Sequence, residues 1–265
     1  MDGLSNTQSV DKLQPFKTSL LTRMIMLMIV AYIFYSVSSL GLTLDRLLLG
    51  FGESERLLSR MFPPDFSRTS LLLSGVAESL QIAIISSFFG IVISLFIGLL
   101  AARNMMPIIV TAPVRAFIAL CRSFHPVIIA IIFVKAVGFG ALAGILTLIF
   151  ASVGFIAKLF AEAIEEISFK QVEAIRATGA SFFSVIIYAV MPQVFTRFIG
   201  FSSYQLDSNL RNSTMVGIVG AGGLGGTLFS AFQRFDYDFV AAILLTIIAL
   251  ILIGEMLSNI VRRIF

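Results

Sequence analysis

Long apolar runs separated by short polar segments set the pattern of this chain. The runs lie near residues 20–40, 79–102, 122–137, 141–160, 192–219 and 239–261. A helix needs about 20 apolar residues to cross a bilayer, and helices satisfy their own backbone hydrogen bonds there. The pattern therefore predicts an all-α membrane protein with about six transmembrane helices. Residues 107–120, which include Arg115, predict an additional re-entrant or interfacial helix.

Composition supports the same class. The chain is 58% hydrophobic and 13% charged, which is too few charges to solvate the surface of a soluble domain of 265 residues. One cysteine and one histidine exclude clusters of either residue as metal ligands. We expect no metal and no cofactor on this chain. The net charge of +4 does not indicate nucleic acid, because the basic residues sit at the ends of the apolar runs.

The distribution of basic residues predicts the topology. With the N terminus inside, the larger set faces the cytoplasm: Lys12, Lys17, Arg23, Arg103, Arg115, Arg122, Lys158, Lys170, Arg176, Arg262 and Arg263. The smaller set faces outward: Arg46, Arg56, Arg60, Arg68, Lys135 and Arg234. This bias predicts cytoplasmic termini and a cytoplasmic segment at 161–191.

Two regions are expected. Residues 1–70 would hold a polar N-terminal tail, the first transmembrane helix and an outer loop that includes a short amphipathic helix. Residues 71–265 would form the membrane core, with the segment at about 161–191 inside it.

The 161–191 segment predicts two short helices separated by a glycine. Phe169 to Thr178 contains good helix formers, with Glu173 and Arg176 spaced to form an i,i+3 pair. Ala174 keeps one face thin enough for a partner surface to approach. Gly179 suits a left-handed helix cap.

A second helix is expected to begin after that glycine. Ser181 suits its N-cap, and Pro192 predicts that a further helix restarts there. The pattern alone equally allows an ordinary loop with two helices.

This segment resembles the EAA motif of ABC-importer permeases, in which Glu-Ala-Ala is followed at fixed spacing by Gly and by Ile-any-Leu-Pro. Glu173, Ala174, Gly179 and Pro192 match, whereas Ile175, Ala189 and Met191 replace the second Ala, the Ile and the Leu. Further stretches resemble the phosphonate-type branch of this family: residues 78–80, 101–104, 122–126 and 217–225.

The resemblance implies a type I ABC importer permease fold whose coupling helix docks on an ATPase subunit. It further implies two ATPase copies that hold ATP and Mg²⁺, a solute-binding protein outside, and a second permease copy in a homodimer. The expected location is the bacterial inner membrane, and the expected solute is phosphonate, phosphite or a related phosphorus oxyanion. The chain itself would have no catalytic residues.

Asp207, Asn209 and Arg211 interrupt the fifth apolar run. An ionised residue at the centre of a transmembrane helix costs about 2.5–3.5 kcal/mol on insertion scales. Arg211 could bind a phosphorus oxyanion bidentately while Asp207 orients it, so these residues are candidates for the solute path. An ion pair that only stabilises the bundle remains the alternative.

The stretch 217–226 is rich in glycine. Gly220, Gly222, Gly223 and Gly225 form a GxGxxG pattern, but membrane runs flank it rather than a βαβ unit. Gly226 stands where a P-loop needs lysine, so we reject nucleotide binding. Two interpretations of the stretch are kept: tight helix packing and a flexible outer gate.

Two other classes compete with the importer. An ion-coupled secondary transporter or channel for a small anion would use Asp207 and Arg211 as a relay and leave residues 161–191 as a plain loop. A purely structural membrane subunit would need neither site.

Overall fold

The structure is a computed structural model that describes residues 20–41 and 43–264, with side chains up to residue 260. The predicted polar tail therefore lies outside the described residues, and so do the side chains of Arg262 and Arg263. The chain divides into two compact units, residues 1–59 and 60–265. In the first unit α1 spans Leu20–Ser39, close to the predicted run, and α2 spans Leu44–Met61, mostly within this unit. The outer loop thus contains an amphipathic helix of 18 residues, as expected.

The described part of the second unit consists of helices joined by short loops. Its helices are α3 Thr69–Ala101, α4 Ile108–Ser123, α5 Pro126–Val137, α6 Ala141–Glu165, α7 Phe169–Ala177, α8 Phe182–Val185, α9 Met191–Val216, α10 Gly223–Gln233 and α11 Tyr237–Ile264. Among the described residues of the whole chain, five helices are long and apolar enough to cross a membrane, and six if α4 and α5 count as one bent span.

The second span begins earlier than expected. Its predicted start near Ser79 is wrong, because α3 begins at Thr69 and has 33 residues. Neither Glu78 nor Gln81 ends the helix, since both are good helix formers. At 1.5 Å per residue α3 is about 50 Å long, which exceeds the hydrocarbon thickness.

The predicted third span, from Arg122 to Val137, is also wrong. α4 ends at Ser123 and α5 begins at Pro126, and the two helices meet at 93°. The residue before a proline avoids the helical region, so the backbone is extended at Phe124 and His125. His125 caps α5, its Nδ1 accepting a hydrogen bond from the Val127 N–H at 3.3 Å.

Small residues let α3 and α6 lie in close contact. A Cβ on Gly90 would lie 2.5 Å from the Ser152 Cβ, and one on Gly98 would lie 2.9 Å from the Phe160 ring. The order of these contacts shows that α3 and α6 run parallel. The bent α4–α5 pair must therefore return the chain to the end where α6 begins, as one broken span does.

The end of the bundle where α3 and α11 begin carries an ion pair between Arg68 and Asp236. The Arg68 guanidinium also lies 4.7 Å from the centre of the Phe239 ring. Close by, the pKa of Asp65 is lowered, first because the Ser67 backbone N–H donates to its carboxylate and then because the Ser67 hydroxyl does. This end is called the far end below, and the end that carries α7 is called the α7 end.

Candidate functional site

Helix α7 forms a small exposed platform. Val172 is its anchor, 0% exposed, in a buried cluster with Val185, Val190 and Val194 of the helices that follow. The side chains of Glu173, Ala174 and Arg176 lie on the exposed part of α7. Val172 and the half-buried Ile175, which packs on the same cluster, thus hold a helix whose charged and small side chains face outward.

The expected pair between Glu173 and Arg176 is wrong. Glu173 forms no ion pair with any described residue, and the Arg176 guanidinium lies 5.9 Å from the centre of the Phe169 ring instead. The Phe169 ring, seven residues before Arg176, competes with the Glu173 carboxylate for the guanidinium, because each attracts a cation only weakly at an exposed surface. Glu173 keeps its charge available to another molecule.

The turn after α7 is built as the sequence predicts. Gly179 has φ of +76°, a left-handed conformation that glycine adopts without strain. Its N–H donates to the Arg176 carbonyl at 3.0 Å. The Ser181 hydroxyl then accepts the Ser184 N–H and caps α8.

Helix α9 begins at Met191 with Pro192 in its first turn, as the sequence predicts. The expected break before it is wrong, because the helix continues from Phe182 to Val219. A π turn at Ile186–Val190 absorbs the proline, with the Met191 N–H donating five residues back to the Ile186 carbonyl. Such a turn relaxes the clash between a proline ring and the preceding carbonyls. Helices α8 and α9 are therefore one continuous element.

Two side chains on the first turns of α9 connect it to the start of α7. Gln193 accepts a hydrogen bond from the Ser168 N–H at 2.9 Å, and Arg197 forms an ion pair with Glu166. Sequence reasoning missed both. Their only signal was polarity next to Pro192 in a span that should be apolar. These two contacts are called the α7–α9 ties below.

The polar residues of α9 divide between two faces of the helix. Arg211 donates to Asp207 at 3.3 Å, as the i,i+4 spacing predicts. The Asp207 side chain is 10% exposed and that of Arg211 is 56% exposed. The second carboxylate oxygen of Asp207 has no hydrogen-bond partner among the described residues and lies beside a cavity of about 200 Å³ between α3, α9 and α11. The Arg211 guanidinium is thus oriented from one side and open on the other.

Asn209 lies on the opposite face and is 0% exposed. Its amide donates to the Ser87 and Ser152 hydroxyls at 2.9 and 3.0 Å, and its oxygen accepts from Gln205 at 2.9 Å. This set is called the buried polar cluster. The structure therefore separates Asn209 from Asp207 and Arg211, and places it where α3, α6 and α9 meet.

The glycine stretch is packed against α3. Gly220 has φ of +99°, and its carbonyl accepts the Gly140 N–H at 2.9 Å. A Cβ on Gly225 would lie 2.0 Å from the Thr214 carbonyl oxygen, so no larger residue fits. The Leu224 N–H donates to the Ser79 hydroxyl. Tight packing therefore explains these glycines, which include Gly222 and Gly223.

The cavity beside this stretch has a volume of about 670 Å³, with Phe139 and Phe229 in its lining. It leaves room for movement of the glycine backbone. The outer gate stays a prediction.

A multi-pass helical membrane protein with an exposed helix tied to a polar span has the architecture of a transport permease. Residues 94–265 match the model of the binding-protein-dependent transport system inner membrane component. The chain belongs to this family. The fold agrees, because a chain of the MetNI methionine ABC transporter in an inward-facing conformation matches with a TM-score of 0.66 at 27% identity, covering 76% of this chain and 99% of that one.

Two curated relatives are similar over most of this chain. The phosphite transport system permease protein PtxC of Stutzerimonas stutzeri is 40% identical over 220 residues, 83% of this chain and 80% of that protein. The phosphate-import permease protein PhnE of Mycolicibacterium smegmatis is 38% identical over 208 residues, 78% of this chain. The match spans 39% of the length of the Mycolicibacterium protein.

Proposed function

We propose that this chain is the permease subunit of an ATP-driven importer that moves a phosphorus oxyanion across the bacterial inner membrane. The observation that carries the proposal is the connection between the exposed α7 platform and the helix of Arg211. A separate ATPase subunit would bind ATP and Mg²⁺ and hydrolyse the ATP. This chain contributes no catalytic group.

In this proposal α7 is the coupling helix. Glu173 and Arg176 offer charges at the surface, and Ala174 lets a partner surface come close. Val172 and the α7–α9 ties hold the platform against the spans, so a push on α7 reaches α9. The α7 end then faces the cytoplasm and both termini lie inside, as the basic residues predict.

The solute class rests on Arg211 and on the relatives. A guanidinium binds phosphate-like oxygens bidentately, and Asp207 limits its positive charge so that the anion can leave. Phosphite and phosphate are the solutes that the names of the two relatives give. Phosphonate, phosphite and phosphate share the oxygens that Arg211 would contact, so the solute-binding protein would choose among them.

A second copy of the chain completes the path in this proposal. Tyr204, Arg211 and Met215 follow one stripe of α9 and are exposed in the single chain. Lipid is a poor neighbour for an exposed guanidinium in a span. A homodimer with two ATPase subunits would enclose the stripe around a water-filled path, and the binding protein would dock at the far end.

The proposed cycle follows from these parts. Closure of the ATPase pair on ATP moves the two α7 platforms together, and the continuous helix from Phe182 to Val219 carries the movement to Arg211. The path then opens at the far end and takes up solute. Hydrolysis returns the complex to the inward-facing state.

The direct test replaces Glu173 with Arg and measures association of the purified permease with its ATPase. We expect loss of the complex and of uptake, with normal thermal stability, because Glu173 forms no ion pair with any described residue. The matched control is Lys170→Glu, another charge reversal on α7. Full association of the Glu173→Arg variant would overturn the coupling role.

An ion-coupled transporter or channel is the competing function. The observation in its favour is Asp207 in the fifth span, one of whose carboxylate oxygens has no hydrogen-bond partner among the described residues. That function gives no role to the α7–α9 ties, whereas the importer uses both features.

A further inference from the structure

A cationic cavity lies at the α7 end of the bundle, away from the α9 stripe. It has a volume of about 280 Å³ between α4 and α6, and its charged lining residues are Arg115, Arg122, Lys158 and Glu162. Neither the α7–α9 ties nor the Asp207–Arg211 pair involves any of them. The proposed function therefore leaves this cavity without a role.

The basic side chains that line the cavity differ in their hydrogen bonds and ion pairs. Arg115 is held by Glu165 and by the Ala101 carbonyl at 2.8 Å, so it is a fixed part of the wall. Lys158 pairs with Glu162 at 3.3 Å on an exposed surface. The Arg122 side chain has no hydrogen bond or ion pair with any of the residues that the structure describes. An open guanidinium beside a loosely paired ammonium is left for an anion.

The depth and the walls of the cavity suit the phosphate of a lipid. It lies beside the last residues of α3 and α6, where two spans end and head groups begin. Ile118 and Ala119 add apolar wall on α4, and Leu120 exposes 53% of its surface beside them. Basic pockets between transmembrane helices at this level bind anionic head groups.

We propose that this cavity binds a phosphate group through Arg122 and Lys158, with Arg115 as its fixed third cation. The group would be the head of an anionic phospholipid or a free phosphorus oxyanion, which share the same oxygens. Glu162 competes with the ligand for Lys158. Bound phosphate would hold α4 against α6 at the α7 end.

The experiment titrates the purified full chain in neutral detergent with phosphatidylglycerol, with phosphatidylcholine of the same acyl chains, and with inorganic phosphate. Native mass spectrometry reads lipid binding, and calorimetry reads phosphate binding. We expect about fivefold weaker phosphatidylglycerol binding for Arg122→Gln and for Lys158→Gln, and tighter binding for Glu162→Gln. Tighter phosphatidylglycerol binding by Glu162→Gln could not be explained by misfolding, because misfolding would only weaken binding.

Arg103→Gln is the matched control, since Arg103 is exposed at the same end but does not line the cavity. If phosphatidylglycerol binding depends on Arg122, the phosphate group that the cavity binds is that of a lipid. Phosphate binding that depends on Arg122, without lipid preference, identifies a free anion. Equal losses in Arg103→Gln and Arg122→Gln, or no change for either probe, would overturn the site.

Discussion

The Arg211 side chain is more than half exposed on a helix long and apolar enough to cross a membrane. Asp207, which is nearly buried, pairs with its guanidinium at 3.3 Å. Two residues away along α9, Asn209 points into the bundle and donates to the Ser87 and Ser152 hydroxyls. In the proposed function the two residues therefore have separate roles, an anion contact for Arg211 and a structural contact for Asn209.

Arg211→Ala tests the anion contact. We expect uptake in proteoliposomes to fall about tenfold or more, because a charge-assisted hydrogen bond to the solute is lost, while assembly with the ATPase is unchanged. Arg211→Lys keeps the charge and should retain part of the uptake. Normal uptake by Arg211→Ala would contradict a role in the solute path.

Asn209→Ala tests the buried polar cluster. It leaves the Ser87, Ser152 and Gln205 side chains short of partners, so we expect a loss of about 1–3 kcal/mol in stability. Asn212→Ala, on the same helix, removes one long bond to Ser208 at 3.3 Å and should change little. Thermal unfolding in detergent measures both, and equal melting temperatures would argue against the cluster.

At the scale of elements, the α7 platform and α9 act as one unit. The left-handed turn at Gly179 redirects the chain, and the π turn at Ile186–Val190 lets one helix continue through Pro192. Gln193 and Arg197 then return to the segment just before α7. A displacement of α7 therefore has three routes into α9: the chain itself, Val172, and the ties.

Gly179→Ala tests the turn. No atom lies within 4 Å of a Cβ at this position, so the cost is backbone strain of about 1 kcal/mol at a positive φ. We expect weaker coupling of ATP hydrolysis to uptake. Gly200→Ala is the matched control, since a Cβ added there also meets no atom within 4 Å and the backbone is helical. Gly179→Asn should be tolerated, because asparagine visits this conformation.

A charge swap tests the ties. Arg197→Glu should lower uptake per ATP hydrolysed, because Glu166 then repels the first turn of α9. The double variant Glu166→Arg with Arg197→Glu restores the pair and should recover coupling. Full coupling in Arg197→Glu alone would show that the tie is not needed.

Much of this could be predicted from the sequence. Apolar runs predict the spans, and glycine and serine spacing predicts the turn at 179–181. The errors arose where tertiary structure overrides a local rule. Pro192 is a helix breaker by propensity, yet a π turn accommodates it. The bend at Phe124 and His125 had a local signal in Pro126, which the predicted span from Arg122 to Val137 passed over. The ties join residues about 25 to 31 positions apart, which no local pattern reveals.

At the scale of the whole molecule, the second unit places an exposed platform at one end and a tight glycine stretch toward the far end, with a polar helix between them. Packing of α3 on α6 through small residues makes a rigid wall, against which the buried polar cluster fixes α9. This arrangement suits a protein that receives force at one end and opens at the other. It has no evident use in a channel that works alone.

The most direct test of the ATP-driven function is uptake of phosphite, phosphate and a phosphonate into proteoliposomes containing the purified chain. We expect uptake of at least one anion only when the ATPase, ATP and the solute-binding protein are all present, and none with an ATPase that cannot hydrolyse ATP. Uptake by the chain alone, driven by an ion gradient and unaffected by ATP, would contradict the importer function.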